Sequence, residues 1–252
     1  MFFSKYATSQ IKADLQFGLM CYDYRIKPSI GCKKMNNDKW VVKLCKWADK
    51  NNIPVAAEKS FDGQYTDCLP RDEESLTQMT KLFFLSQDIA ELPREIANLH
   101  NLKSLVIDNS SLFKLPKEIG QLLQLEILSV ANSKLSKFPN EITSLNNLLF
   151  LDLTGNQITG IPRSIGNFSR LIKLRFRNNR ISRLPKEIEK LVNLEELDLD
   201  SNEIVKLPIA ISSLQSLKWF FIDNNPLSAS SKEYVERSLL PNLVTNLWSI
   251  EH

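Results

Sequence analysis

The sequence repeats with a period of 23 residues over its carboxyl-terminal two-thirds, without an insertion. Apolar residues recur three and five positions after the residue that opens each repeat, and a Leu-Pro pair or its equivalent recurs further on. The seven opening residues are Met79, Leu102, Leu125, Leu148, Leu171, Leu194 and Leu217. A strict period of this length predicts stacked supersecondary units, each of which buries its apolar face against its neighbours.

Each unit is predicted to contain a short strand and a helical return segment. In Leu-x-Leu the leucines point inward and the intervening residue points outward, so one strand per repeat builds a parallel sheet. Apolar residues at spacings near three in the second half predict a helix or a 3₁₀ turn on the outer wall. The predicted fold class is therefore α/β, a curved right-handed solenoid with a parallel sheet on its concave face and helical or 3₁₀ turns on its convex face.

The pattern LxxLxLxxNxIxxLPxxIxxL resembles the leucine-rich repeat of the 23-residue type. It is similar to the Leu-Pro-containing repeats of Ras-group signalling scaffolds, of plant intracellular leucine-rich proteins and of bacterial proteins that include host-directed effectors. The resemblance covers about residues 76–227. It implies a non-enzymatic module that recognises a protein through the concave face, and it does not name the partner.

The resemblance also implies a role for the eighth position after each opening residue. In leucine-rich repeats an asparagine amide at this position bonds buried backbone groups of the turn. The column reads Gln87, Ser110, Ser133, Asn156, Asn179, Asn202 and Asn225. Because Ser and Gln can replace the asparagine only in part, we expect the first three repeats to be less regular than the last four.

Helical caps are predicted at both ends, since a solenoid otherwise exposes its apolar core. We expect an N-terminal helical cap region in residues 1–75, seven repeats in residues 76–229 and a C-terminal helical cap in residues 230–252. Leu69-Pro70 and Leu76 fit the frame one period earlier, as a half-repeat. Residues 1–36 could be a further cap element, a binding appendage or a flexible tail.

Two capping motifs refine the prediction for the flanks. Asn37 or Asp38 can cap a helix whose apolar residues recur from Trp40 to Ala48. At the other end, Ser230 to Glu233 has the form of a capping box, and it would open a helix through Leu240. Leu243, Leu247 and Trp248 would complete this cap.

The concave face carries its charges in repeats five and six. The outward positions of repeat five are basic, and those of repeat six, 23 residues later, are acidic. Adjacent strands then predict four opposite-charge pairs: Lys173–Glu196, Arg175–Asp198, Arg177–Asp200 and Arg180–Glu203. Each exposed pair would contribute about 0.2–1 kcal/mol. We call these four pairs the charge ladder.

Two interpretations of the charge ladder stay open. It could only neutralise itself, or it could form a polarised binding patch, bordered by exposed aromatic residues that, beside arginine, are typical of binding hot spots. The candidate partner-binding residues are Phe150, Asp152, Lys173, Arg175, Arg177, Arg180, Glu196, Asp198, Asp200, Trp219 and Phe221.

Catalytic and metal-binding motifs do not emerge from the sequence. It contains no phosphate-binding Gly-rich loop, no GxSxG and no HExxH. Asp198 and Asp200 lie on one side of a strand, but neighbouring arginines are expected to keep both carboxyl groups acidic, which does not suit a general acid. We therefore expect a non-enzymatic protein with no cofactor and no small-molecule substrate.

The four cysteines, Cys21, Cys32, Cys45 and Cys68, contain no CxxC pair and predict reduced thiols rather than a metal site. MCYDYR, around Cys21, resembles the Cys-x-Asp nucleophile motif of bacterial leucine-rich-repeat ubiquitin ligases. The alternative function is therefore the substrate-recognition part of a ubiquitin-ligase-like or signalling enzyme that lacks its catalytic domain.

Charge and hydropathy limit the other partners. The formal net charge of +3 gives no global reason to expect nucleic acid, and the basic outward positions of repeat five face an acidic repeat. No run approaches the length of a membrane span, and the start lacks the layout of a cleavable signal peptide. We expect a protein without membrane insertion, either cytoplasmic or delivered into a host cell.

Overall fold

The protein, described by a computed structural model over residues 39–54, 64–66, 68–85, 87–235 and 237, forms a parallel solenoid. Eight strands within these residues make one sheet, in which the strands follow the order of the chain. They are β1 (Gln64–Thr66), β2 (Lys81–Leu85), β3 (Ser104–Asp108), β4 (Ile127–Ala131), β5 (Phe150–Asp152), β6 (Lys173–Arg175), β7 (Glu196–Asp198) and β8 (Trp219–Phe221). The predicted fold class is confirmed.

Short 3₁₀ helices return the chain along the other wall. Each begins directly after the proline of a Leu-Pro pair, because proline has a fixed φ and no N–H to donate, which suits the position before a helix. The carbonyl of Pro93, for example, accepts the first hydrogen bond, from the Ile96 N–H at 3.1 Å. The six helices are Arg94–Asn98, Lys117–Gln121, Asn140–Ser144, Arg163–Asn167, Lys186–Lys190 and Ile209–Ser213.

The 23-residue period sets the strand register. Residues one period apart are Cα partners on neighbouring strands, as Leu174 and Leu197 are on β6 and β7. The inward leucines are fully buried and belong to one continuous core along the solenoid. Strand β1 pairs with β2 at a spacing of 17 residues, from Gln64 to Lys81, so the sheet begins one strand earlier than the predicted repeats.

The asparagine column forms the hydrogen bonds that the resemblance implied. The Nδ2 of Asn179 donates to the carbonyls of Leu153 and Phe176, both at 2.9 Å. Its Oδ1 accepts from the Ile158 N–H at 3.0 Å. The same arrangement recurs at Asn156, Asn202 and Asn225.

The serines of the column replace this arrangement only in part, as expected. The hydroxyl of Ser133 donates to the Ala131 carbonyl at 2.9 Å and lies 2.9 Å from the hydroxyl of Ser110. Ser110 in turn accepts from the Leu112 N–H at 3.3 Å. A hydroxyl cannot reach the preceding repeat in the way an amide does, because it has one donor on a shorter side chain.

The first described helix, α1 (Trp40–Lys50), covers the amino-terminal end of the core with Val41, Leu44 and Ala48. The prediction that Asn37 or Asp38 caps this helix is wrong. The helix begins at Trp40, so its N-cap is Lys39, which makes no side-chain capping bond.

A buried arginine holds α1 in place. Arg71 is 6% exposed. Its guanidinium donates twice to the Oδ1 of Asp49 in α1, at 3.1 and 2.9 Å, and also to the carbonyls of Leu69 and Ile53 at 2.6 and 2.7 Å. The helix that follows, α2 (Glu73–Thr77), is capped by the carboxylate of Asp72. One guanidinium thus joins α1 to the segment of the predicted half-repeat, where Leu69 and Leu76 are fully buried.

The last described helix, α3 (Ala229–Tyr234), follows the seventh repeat. The predicted capping box at Ser230 is wrong, because Ser228 is the N-cap and its hydroxyl accepts from the Ser231 N–H. The hydroxyl of Ser231 instead accepts from the Leu207 N–H at 3.2 Å.

Other predictions for the flanks stay untested. Leu239, Leu240, Leu243, Leu247 and Trp248 lie outside the described residues, as do residues 1–36. The bounds of the three predicted regions therefore remain predictions. The helices in the described part of the chain are all too short to cross a lipid bilayer.

Candidate functional site

The charge ladder lies on β6, on β7 and in the turns that follow them. Lys173 and Glu196 are register partners, and the Nζ of Lys173 lies 3.2 Å from the Oε2 of Glu196. Arg177 and Asp200 also form the predicted pair, with 3.3 Å between the Nη1 and the Oδ2. Two of the four predicted ion pairs are therefore confirmed.

Arg175 does not pair with Asp198, although the two residues are register partners. Its Nε lies 2.5 Å from the Oε1 of Glu196, and its Nη1 lies 3.9 Å from the Oδ2 of Asp152. The guanidinium also stacks over the ring of Phe150, 5.2 Å from the centroid. Diagonal neighbours on a sheet are within reach of long side chains, and glutamate has one methylene more than aspartate.

Arg180 and Glu203 also fail to form their predicted ion pair. Both are exposed, and the described part of the chain shows no ion pair of either residue. They follow β6 and β7 by several residues, where the sheet no longer holds neighbouring side chains together and water solvates each charge.

The concave face buries several side chains that the sequence predicts to be exposed. Phe150, Lys173, Glu196 and Asp200 are only 5–7% exposed. Each has a neighbouring repeat on both sides, about 4.8 Å away, and the long side chains of adjacent strands cover one another. These four residues are therefore part of the packed face, and a partner cannot reach them without displacing their neighbours.

The carboxyl group of Asp198 titrates close to neutrality, contrary to the expectation that arginines keep it acidic. Burial raises its pKa to about 7, and the negative charge of Asp200 adds to the increase. The hydrogen bond from the Asp200 N–H and the charges of Arg177 and Arg175 lower the pKa by less than burial raises it. The arginines therefore do lower the pKa as expected, but burial outweighs their effect.

Neighbouring carboxyl groups shift in the same direction. Burial is the main cause that raises the pKa values of Asp152, Asp200 and Asp223. Hydrogen bonds from the N–H groups of Thr154 and Asp223 oppose the shift at Asp152 and Asp200. The pKa values of all three carboxyl groups thus lie above the ordinary value, as that of Asp198 does.

Two aromatic residues border the charge ladder on β8. Trp219 is the register partner of Glu196, and Phe221 is the register partner of Asp198. Both rings are half-buried, so each presents an edge or face to solvent. The side chain of Arg177 is 54% exposed in the same region. We call Arg177, Asp198, Trp219 and Phe221 the accessible patch.

The cysteines give no site within the described residues. Cys45 is a buried cysteine in α1, and Cys68 is a partly buried one. Cys21 and Cys32 lie outside the described residues, so the Cys-x-Asp resemblance and the ubiquitin-ligase alternative stay untested. A cluster of three potential metal ligands is likewise absent from the part of the chain that the structure describes.

Family comparison identifies the repeats. A profile described as a leucine-rich repeat matches residues 168–227, and a second leucine-rich repeat profile matches residues 147–168. Together with the stacked parallel strands, these matches decide the family. This chain is a leucine-rich repeat protein.

Solved structures agree with the assignment. A leucine-rich repeat protein of Leptospira interrogans is 36% identical, with a TM-score of 0.64, and the match covers 69% of this leucine-rich repeat protein and 44% of the other chain. The receptor kinase ectodomain GASSHO1/SCHENGEN3 of Arabidopsis thaliana, in complex with Casparian strip integrity factor 2, is 28% identical, with a TM-score of 0.56 and coverages of 62% and 20%.

An internalin of Listeria monocytogenes has the same fold at 22% identity, with a TM-score of 0.53 and coverages of 71% and 58%. The leucine-rich repeat protein therefore spans less than two-thirds of the length of these relatives. Curated protein sequences give no match. The family as a whole supplies protein–protein interaction modules, and its fold is typically a scaffold without catalytic activity.

Proposed function

We propose that this leucine-rich repeat protein binds a partner protein through the concave face of repeats five to seven and performs no chemistry there. The observation that supports this proposal is the accessible patch. Arg177, Asp198, Trp219 and Phe221 lie on adjacent strands or directly after them, and each retains solvent exposure. On the same face Lys173, Glu196 and Asp200 are buried.

The accessible patch has the composition of an interface hot spot. Tryptophan, tyrosine and arginine contribute most of the binding free energy at protein interfaces, and they do so where neighbouring contacts exclude water. Trp219 and Phe221 offer apolar area on a rigid strand, so little side-chain entropy is lost on binding. Arg177 presents a positive charge beside them, and Asp198 presents a carboxyl group that becomes negative as the pH rises through about 7, which favours one orientation of the partner.

Ion pairs on β6 and β7 lie beside the accessible patch and restrict the conformations of its surroundings. Glu196 bridges Lys173 and Arg175, and Arg175 packs on Phe150. These side chains have few alternative positions, because they are packed between neighbouring strands. We therefore assign Lys173, Arg175, Glu196 and Asp152 to support of the binding surface, and the accessible patch to the contact itself.

The comparisons support a protein ligand. The Arabidopsis ectodomain, a leucine-rich repeat structure, was solved in complex with Casparian strip integrity factor 2. The likeness to the Leptospira interrogans protein favours a bacterial source. We extend the proposal to a bacterial effector, active in the cytoplasm or after delivery into a host cell, where it would act on a host protein.

A capture experiment with matched variants tests the proposal. Wild-type protein and an Arg177→Ala/Trp219→Ala/Phe221→Ala variant are used as baits in host and bacterial lysates. The control bait carries Leu123→Ala and Val192→Ala, two exposed apolar side chains outside the sheet. A protein retained by wild type and control but lost with the patch variant supports the proposal. Equal retention by all three baits overturns it, provided that circular dichroism shows each bait to be folded.

A further inference from the structure

Exposed basic residues line one edge of the solenoid, on either side of the Leu-Pro pairs. A residue directly before or after the pair is basic in each of the first six repeats. In repeats one and four this residue is Arg94 or Arg163, which forms an ion pair with Glu95 or Glu187, and Glu91 precedes the first pair. The other basic residues at these positions lie in repeats two, three, five and six. We call the following set the basic edge: Lys114, Lys117, Lys137, Arg183, Lys186 and Lys206. All six side chains are exposed, and this edge lies beyond the ends of the concave strands.

The fold places these residues in rows. Arg183 and Lys206, one period apart, form an isolated parallel bridge. Before that bridge, the turns of adjacent repeats are joined by backbone hydrogen bonds, such as that from the Glu203 N–H to the Ile181 carbonyl at 2.9 Å. Bridged strands are about 4.8 Å apart, so the backbones of Arg183 and Lys206 lie closer together than the Debye length of about 8 Å at physiological salt.

The charges of the basic edge are mostly uncompensated. Among the described residues, Lys114 is the one member with an ion pair, to Glu91 at 3.6 Å. The glutamates that follow the edge, Glu118, Glu141 and Glu187, lie in the first turns of the 3₁₀ helices, where the helix dipole stabilises them. Of these three, Glu118 and Glu187 are partly buried, so the charge that reaches furthest into solvent is positive.

Large apolar side chains accompany the charges. Three of the five exposed large apolar residues in the described part of the chain flank these Leu-Pro pairs: Phe113 and Val205 at 45% exposure and Ile209 at 79%. Phe113 precedes Lys114, whose Nζ lies 5.2 Å from the ring centroid, and Val205 precedes Lys206. A nucleic-acid backbone is bound by cations, and single strands are also bound by side chains that stack on the bases. Aliphatic side chains such as Val205 and Ile209 provide neither kind of contact. Basic residues interspersed with aromatic and aliphatic ones fit the interface of an anionic bilayer.

We propose that the basic edge is a peripheral docking surface for an anionic lipid bilayer, with Phe113, Val205 and Ile209 entering the headgroup region while the six bases contact lipid phosphates and carboxylates. The surface is separate from the concave face. Docking along this edge leaves Trp219 and Phe221, which lie on β8, available to a protein partner. The inference does not depend on the function proposed above.

Vesicle binding with charge-matched variants tests the proposal. The 252-residue chain is sedimented with phosphatidylcholine vesicles that contain about 30% phosphatidylserine, and with vesicles of phosphatidylcholine alone, at about 0.1 M salt. The edge variant is Lys137→Glu/Arg183→Glu/Lys206→Glu. The control, Lys43→Glu/Lys50→Glu/Arg170→Glu, has the same net charge but changes exposed residues away from the edge.

Wild type and control are expected to bind the anionic vesicles, and the edge variant to bind at least about tenfold more weakly. A Phe113→Ser/Val205→Ser/Ile209→Ser variant, whose charge is unchanged, is also expected to bind more weakly. Absence of wild-type binding overturns the proposal, and so does an equal loss in the edge and control variants. Binding to a single-stranded oligonucleotide but not to the vesicles also overturns it, in favour of a nucleic-acid surface.

Discussion

Arg175 forms its ion pair with Glu196, at 2.5 Å, although the strand register places Arg175 beside Asp198. Because of this diagonal contact, one carboxylate serves two cations, Lys173 and Arg175. Within the described residues Asp198 then has no basic nitrogen within 4.0 Å. The charge ladder is thus divided into a buried ion cluster and a carboxyl group that titrates near neutral pH.

Glu196 is expected to be the charged residue whose loss destabilises the sheet most. Glu196→Gln removes the shared negative charge and leaves two buried cations without it, so we expect the free energy of unfolding to fall by about 3–5 kcal/mol. Urea denaturation measures the change. Glu203→Gln, at an exposed position, serves as the control and should change stability by less than about 0.5 kcal/mol. Equal effects of the two substitutions would contradict the assignment of Glu196 as the centre of a buried cluster.

Asp198 is expected to make stability depend on pH. Its folded-state pKa of about 7 lies above the ordinary value of 3.8, so the folded protein holds a proton that the unfolded chain releases between about pH 4 and pH 7. Stability contributed by this group is therefore present at low pH and lost as the pH rises towards 7. Asp198→Asn should flatten this part of the pH profile, by at most about 4 kcal/mol between pH 4 and pH 8.

The measurement is the free energy of unfolding from pH 4 to pH 8 for wild type, Asp198→Asn and Glu203→Gln. The Asp198→Asn variant should gain stability over wild type as the pH rises, whereas Glu203→Gln should follow the wild-type profile. A parallel profile for Asp198→Asn would show that the carboxyl group titrates in its ordinary range.

The repeat period was sufficient to predict the backbone but not the side-chain contacts on the concave face. It paired Lys173 with Glu196 correctly, because Cα register follows directly from a period without insertions. It could not predict that Arg175 reaches diagonally to Glu196, since that choice depends on side-chain length. It also treated Asp198 as exposed, so the charges of its neighbours were counted while the burial that dominates its pKa was not.

Structural features outside the strict 23-residue pattern were not predicted from the sequence. Strand β1 pairs at a 17-residue spacing and lacks the Leu-x-Leu alternation, so the sequence showed only the buried Leu69 that follows it. A second amide column, one residue before the opening position, was also missed. There Asn101, Asn147 and Asn193 donate to carbonyls of the preceding repeat at 2.7–2.9 Å. The sequence does contain a pattern that could have predicted this column, because these three asparagines recur every 46 residues.

The asparagine column is expected to matter more to stability than the serine column. Asn179→Ala leaves the Ile158 N–H without its partner and removes one of the two amide bonds that each of the carbonyls of Leu153 and Phe176 accepts. We expect a loss of about 2–3 kcal/mol, because a buried unsatisfied group costs about 1–3 kcal/mol and two further buried hydrogen bonds are lost. Ser133→Ala removes one carbonyl bond and should cost about 1 kcal/mol. Thermal denaturation compares the two, and a serine variant as unstable as the asparagine variant would contradict this ranking.

Arg71 is expected to stabilise the amino-terminal cap specifically. Arg71→Met removes the bonds to Asp49 in α1 and leaves the carbonyls of Leu69 and Ile53 unpaired. Amide hydrogen exchange should then accelerate in α1, where Leu44 and Ala48 cover the core, while protection in β5 to β8 stays close to wild type. Uniform loss of protection along the whole solenoid would show that the cap does not open separately from the repeats.

Site-specific photo-crosslinking tests the binding role of the concave face most directly. A photoreactive amino acid is placed at Phe221 on β8 and, in a second protein, at the exposed Leu123 outside the sheet. We predict that the Phe221 protein crosslinks to one defined partner, that Arg177→Glu abolishes the product, and that the Leu123 protein gives none. Crosslinking to the same partner from Leu123 alone, or a Phe221 product that Arg177→Glu leaves unchanged, would contradict recognition through the accessible patch.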